Sequence, residues 1–163
     1  MNKIWHYIKS WFIEMGSPPL FFKWSSKILP WLISVSIIVF VTGLVWGLFF
    51  SPTDYKQGDV YRIIYIHVPS AILSQSIFMF MAICGFITMV WRVKISGMLL
   101  KSAAPIGATF TLLALITGSI WGKPTWGTWW VWDARITSTL ILFFIYTAII
   151  GLHSSIDNRT KAD

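Results

Sequence analysis

The sequence predicts an all-α integral membrane protein: four transmembrane helices, an outward tryptophan-rich interfacial segment and an N-terminal cytoplasmic amphipathic helix. Three observations predict it. Of 163 residues, 56% are hydrophobic and only 12% charged, with a mean hydropathy of +0.69, far from the composition of an ordinary soluble domain. Apolar runs long enough to cross a hydrocarbon core of roughly 30 Å as helix recur along the chain. Between the last two runs, five tryptophans stand within the thirteen residues from Trp121 to Asp133.

The elements follow in order. Over residues 1–16, Ile4, Trp5, Ile8, Trp11, Phe12 and Met15 recur at helical spacing, with Lys3, Lys9 and Glu14 elsewhere on the wheel; this pattern predicts a helix lying on the cytoplasmic headgroups. Ser17-Pro18-Pro19 ends it. The first span, residues 29–50, carries no charge over 22 residues, and it begins too late and runs too long for a cleavable signal peptide. The next apolar run, residues 63–91, has 29 residues, about 44 Å as straight helix. One crossing needs less, so the span is placed at residues 69–91 with Pro69 as a helix start or kink. Cys84 lies midway along it and reads as packing, with no intramolecular partner for a disulfide. The third span covers residues 102–121. The fourth, residues 136–152, is short enough at 17 residues for its ends to draw on Arg135 and His153 at the headgroup level.

Orientation follows from the basic residues. Lys3, Lys9, Lys23, Lys27, Arg92, Lys94, Lys101, Arg159 and Lys161 fall on one side, nine in all, against four on the other: Lys56, Arg62, Lys123 and Arg135. The positive-inside rule places both chain ends in the cytoplasm and the tryptophan segment outside. The formal charge of +7 is mostly this topological bias, and no nucleic-acid motif accompanies it. The predicted spans hold no Asp, Glu, Lys or Arg in their interiors, so the usual residues of an ion relay or charged-substrate channel are missing. No nucleophile–base pair or carboxylate dyad stands in a plausible site, and the outward carboxylates are Asp54, Asp59 and Asp133; an enzyme is not expected.

Indoles are large, rigid and amphipathic, and a cluster of them offers a flat apolar wall whose N–H groups still need partners. If residues 126–133 are helical, steps of 100° put Trp126, Trp129, Trp130 and Asp133 on one arc, with Trp132 and Arg135 pointing away. Gly122, Pro124 and Gly127 are expected to turn the chain out of the third span and along the outer membrane surface. An aromatic belt also enriches Trp at interfaces, but a belt scatters one or two indoles per span end. Asp133 precedes the fourth span, where it can cap the helix, contact a ligand or partner, or do both. Of His6, His67 and His153, only His67 is predicted to share a side with the tryptophans. Near a helix start at Pro69, the dipole favours the neutral imidazole that ligates metals; a hydrogen-bonded structural histidine is the alternative. Indole wall and axial histidine together suit a porphyrin, with Arg62, Lys123 and Arg135 on the correct side for its propionates.

The run Trp121-Gly122-Lys123-Pro124, continued by Trp126-Gly127-Thr128-Trp129-Trp130-Val131-Trp132-Asp133-Ala134-Arg135, resembles the tryptophan-rich (WWD) signature of the haem-handling membrane proteins of cytochrome c maturation. Ile64-Tyr65-Ile66-His67-Val68-Pro69 is similar to the histidine-bearing segment of that family's haem exporter protein C (CcmC) members. The resemblance covers the chain from the first span through the fourth. It implies that Trp121, Trp126, Trp129, Trp130, Trp132 and Asp133 hold a transiently bound b-type haem and that His67 supplies one axial ligand to its iron. It also implies presentation of haem to the periplasmic chaperone CcmE, in company with CcmA, CcmB and CcmD, at the bacterial inner membrane. Family members resemble six-span proteins with a second histidine ligand in the last outward loop. Residues 1–163 therefore read as one haem-handling domain, the apparent N-terminal two-thirds of such a protein.

Two other classes stay open. A membrane-anchored cytochrome subunit would need paired histidines inside the bilayer. A structural subunit of a transporter would use the tryptophans to dock a periplasmic partner and would purify colourless.

Overall fold

The computed structural model describes residues 17–162, with side chains through residue 156; the interfacial helix expected over residues 1–16 lies outside the described residues. Four helices are α1 (Pro18–Val45), α2 (Ile64–Trp91), α3 (Lys94–Trp126) and α4 (Ala134–Ala162). Each is long and apolar enough to cross a membrane. Helices α1, α3 and α4 extend past their apolar runs, whereas α2 lies within its run of residues 63–91. With its appended π-helical turn Trp46–Phe50, α1 continues to Phe50, and a 3-10 turn, Asp59–Ile63, leads into α2. Hydropathy marks where lipid-compatible side chains lie, whereas helical hydrogen bonding ends only where a residue breaks it.

The ends show what does break it. Pro18 and Pro19 open α1 at its first positions, where a missing N–H costs nothing. Of the two roles expected for Pro69, start or kink, the start is excluded: α2 begins five residues earlier, at Ile64, and carries Pro69 inside. Arg92 closes α2 in the left-handed region at φ 54°, its N–H bonded to the Thr88 carbonyl at 2.9 Å, so that α3 starts at once and runs back antiparallel.

Packing centres on α3, which touches both α2 and α4. Ala104, Gly107, Ala108, Thr111, Ala114 and Thr117 are buried along α3, a small-residue stripe at helical spacing that lets neighbouring backbones approach. Tyr146 of α4 is fully buried against it. Its hydroxyl donates to the Ser74 carbonyl of α2 at 2.7 Å, its ring meets Phe78 edge-on at 5.8 Å, and Met81, Ala104 and Ala108 complete the cluster. Cys84 is buried beside this core with a free thiol. By contrast, no residue of α1 is buried. That helix is tied in at its end: Gly47 lies so close to Tyr65 that a Cβ there would meet Tyr65 Cγ at 2.8 Å. Ser51 and Tyr65 share a hydroxyl hydrogen bond of 2.7 Å, and Arg62 donates to the Ser51 carbonyl at 3.0 Å. The helices alternate in direction, so the segment from Ser51 to Ile63, the start of α2, the end of α3 and the start of α4 gather at one end of the bundle.

Candidate functional site

At that end the structure divides the tryptophan segment differently from the helical wheel. Helix α3 passes through Gly122 and Pro124 and stops only after Trp126, where Gly127 adopts φ 79° and its N–H bonds the Lys123 carbonyl at 3.0 Å. Residues 127–129 are bends and residues 130–133 irregular chain, with the Asp133 N–H turned back to the Val131 carbonyl at 2.8 Å. Trp126, Trp129, Trp130 and Asp133 therefore do not share a helical face. Of the three expected interruptions, only Gly127 requires a conformation that other residues avoid. Gly122 serves close approach instead: a Cβ there would stand 3.3 Å from both the Thr128 carbonyl oxygen and the Trp126 ring, so the loop folds back over the helix.

His67 lies in the first turn of α2. Its Nδ1 is 3.0 Å from Thr117 Oγ1 on α3, and its ring packs edge-to-face on Trp121 with centroids 5.6 Å apart. Trp121 donates its indole N–H to Gln57 Oε1 at 2.7 Å. Gln57 in turn sits in a tight turn in which Asp54 Oδ1 accepts the N–H groups of Lys56 and Gln57, both at 2.8 Å. A cavity of about 320 Å³ opens among His67, Trp121, Trp126, Arg135, Gln57 and Gln75. Arg135 lies over the Trp126 ring at 5.6 Å.

Three of the expected residues thus come together at the cavity, His67, Trp121 and Trp126, and the others do not line it. Trp129 and Trp132 are 57% and 75% exposed. Trp130 packs edge-on to Trp132 at 5.5 Å, with its buried indole nitrogen unpartnered among the described residues. Asp133 takes the capping role: Oδ1 accepts the Ile136 N–H at 2.8 Å and Oδ2 pairs with Arg135 at 3.1 Å. The Ile136 N–H, and then Arg135, hold its carboxyl below the usual carboxylate range, so the cap stays charged at neutral pH. Of the expected propionate partners, Arg62 is turned to Ser51 and to Asp59, 3.3 Å away, and Lys123 donates to the Gly127 carbonyl at 3.0 Å; Arg135 alone of the three lines the cavity. His153 stands nineteen residues along α4 from its start, about 28 Å as helix, and so toward the opposite end of the bundle. His6 lies outside the described residues.

Sequence reasoning missed Gln57, Gln75, Thr117 and Gly118. The signal was present for some: Gln75 and Thr117 are polar groups inside apolar runs, which need partners in a membrane. For Gln57 there was none, since the residue it holds is 64 positions away.

The chemistry on offer is one imidazole, indole walls, a guanidinium and amide groups. No group of three or more His, Cys, Asp or Glu able to hold a bare metal ion exists among the described residues. A family model described as "Heme exporter protein C" matches residues 11–163. The chain is 48% identical over 149 residues to "Heme exporter protein C" of Escherichia coli (strain K12), covering 91% of this chain and 61% of that protein. The proteins of the same description from Paracoccus denitrificans and Haemophilus influenzae are 46% and 44% identical, with the same coverage. The chain spans about three-fifths of the length of the curated relatives it matches.

Proposed function

Since this chain belongs to the heme exporter protein C family, we propose that it binds haem in the cavity around His67, on the periplasmic side of the inner membrane, and presents it to the chaperone CcmE during cytochrome c maturation. The observation that carries the reading is the convergence of His67, Trp121, Trp126 and Arg135 on one cavity. A bare metal would need three or four protein donors. A metalloporphyrin brings four nitrogens of its own and asks the protein for an axial ligand, apolar walls and a cation for its propionates, and this is the donor set present. In this reading His67 is the axial ligand to the haem iron, Trp121 and Trp126 wall the b-type porphyrin, and Arg135 meets a propionate. Trp129, Trp130 and Trp132 continue the aromatic surface along the loop, and Asp133 fixes that loop to α4. CcmA, CcmB and CcmD are the partners the family suggests. The protein holds and hands on its cargo without chemistry of its own.

Purified in detergent and titrated with haem, the chain should develop a Soret band with one haem per chain. Replacing Trp121 and Trp126 together with Ala should weaken retention by about a hundredfold or more, because burying each aromatic side chain is worth roughly 1.5–3 kcal/mol. A chain that stays colourless, or a double variant that binds as the parent does, would favour the docking-subunit reading instead.

Topology is tested separately. With nine basic residues against four, reporters fused after Trp121 should read periplasmic, and reporters at residue 97 or at the C-terminus cytoplasmic. The inverted pattern would move the cavity to the cytoplasmic face and end this reading.

A further inference from the structure

Thr117 is buried one helical turn before Trp121, and its hydroxyl oxygen has three neighbours. It lies 2.6 Å from the Leu113 carbonyl, 3.3 Å from the Ala114 carbonyl and 3.0 Å from His67 Nδ1. A hydroxyl has one proton, and a carbonyl oxygen only accepts. The shortest contact is the back-bond to the carbonyl four residues earlier that threonine commonly makes within a helix, so the proton lies there. The contact to His67 then has one remaining form: Oγ1 accepts and Nδ1–H donates. A neutral imidazole with its proton on Nδ1 leaves the lone pair on Nε2.

We propose that Thr117 is a positioning residue that holds His67 in the Nδ1–H tautomer and frees Nε2 to bind the haem iron. The iron-binding half rests on the proposed function, whereas the tautomer itself does not. Helix α3 fixes the ring at three consecutive levels. Thr117 sets the tautomer. Gly118 admits the ring, since a Cβ there would come within 3.1 Å of His67 Cε1. Trp121, one turn on, holds the ring edge-to-face at 5.6 Å. The chain of bonds runs from a backbone carbonyl through a hydroxyl to the imidazole, and the carbonyl's place is set by the helix. An acceptor on the remote ring nitrogen orients a metal-binding histidine and raises its basicity.

The test is nitrogen-15 NMR of the haem-free 163-residue chain in lipid bilayers, labelled at histidine and held near pH 8, above the ordinary histidine range of about 6.5. The His67 resonances are those that vanish in His67→Ala. They should show a protonated Nδ1 and an unprotonated Nε2. Thr117→Val should populate the Nε2–H form, and Thr117→Ser should restore the parent pattern. On haem addition, Thr117→Val should bind about ten- to a hundredfold more weakly, with Thr117→Ser near the parent. A parent chain with its proton on Nε2 overturns the proposal without recourse to any variant, as does a Thr117→Val tautomer like the parent's. If the tautomer responds as expected while His67→Ala leaves haem binding untouched, the ligand reading fails and the tautomer lock stands.

Discussion

Haem retention should collapse in His67→Ala, by more than the roughly ten- to hundredfold typical of losing a group that merely supports a metal ligand. The side chain proposed as axial ligand is also the one that α2 and α3 jointly hold at the cavity, through Thr117 at 3.0 Å and Trp121 at 5.6 Å. Removing it deletes the metal–nitrogen bond and leaves an imidazole-sized space between Gly118 and Trp121. That space makes the prediction specific: exogenous imidazole should enter it and restore both the spectrum and part of the retention, because the free ligand meets the same Thr117 acceptor. Optical titration of the purified variant, with and without imidazole, checks this. Retention unchanged from the parent would remove His67 from the site. Retention lost without imidazole rescue would point to a ring that packs the cavity but does not ligate.

Gly107→Ala should be the most damaging single-methyl change in the bundle. A Cβ at Gly107 would overlap Cε1, Cζ and the hydroxyl oxygen of Tyr146. Those atoms cannot yield cheaply: the ring is rigid and fully buried, and its hydroxyl is tethered to the Ser74 carbonyl at 2.7 Å. Relief requires α4 to move away from α3, and the expected cost lies at the upper end of the roughly 1–3 kcal/mol found for overpacked cores. Resistance to thermal or detergent unfolding reads it directly. A second effect follows from the architecture, since α4 carries Arg135, Ile136 and Thr139 into the cavity wall. Its displacement should weaken haem binding although Gly107 itself does not line the cavity. In a double-mutant cycle, Tyr146→Leu should remove most of the Gly107→Ala penalty. A Gly107→Ala protein as stable as the parent would show that α3 and α4 are not held in this contact.

How much of this was legible in the sequence differs by residue. Four apolar runs foretold the helices, because lipid compatibility belongs to each segment alone, and the chain breakers at Pro18 and Gly127 coincide with helix ends for the local backbone reasons that apply anywhere. Asp133 was legible as a cap from its place before the last helix, and the structure bears that role out. His67 and the tryptophans stood out by residue type. A wheel drawn on an assumed helix could not sort the indoles, since the helix stops at Trp126 and the remaining three leave on a loop. Of the two roles expected for Pro69, helix start or kink, the start is the one the structure excludes, since a 3-10 turn leads into a helix that already holds Pro69 inside it.

By itself, then, the sequence determined the four long apolar helices of the described residues, the aromatic loop before the last of them and the residue types available for a porphyrin. Each depends on composition within a stretch of neighbours. Tertiary structure alone decided which of those residues meet. Thr117 reaches His67 across 50 positions, Gln57 reaches Trp121 across 64, and Tyr146 reaches Ser74 across 72. Such partners are chosen by how a stripe of small residues on α3 lets α2 and α4 close on it, and a hydrogen bond that forms only within about 3 Å has no trace in the chain until those helices have packed.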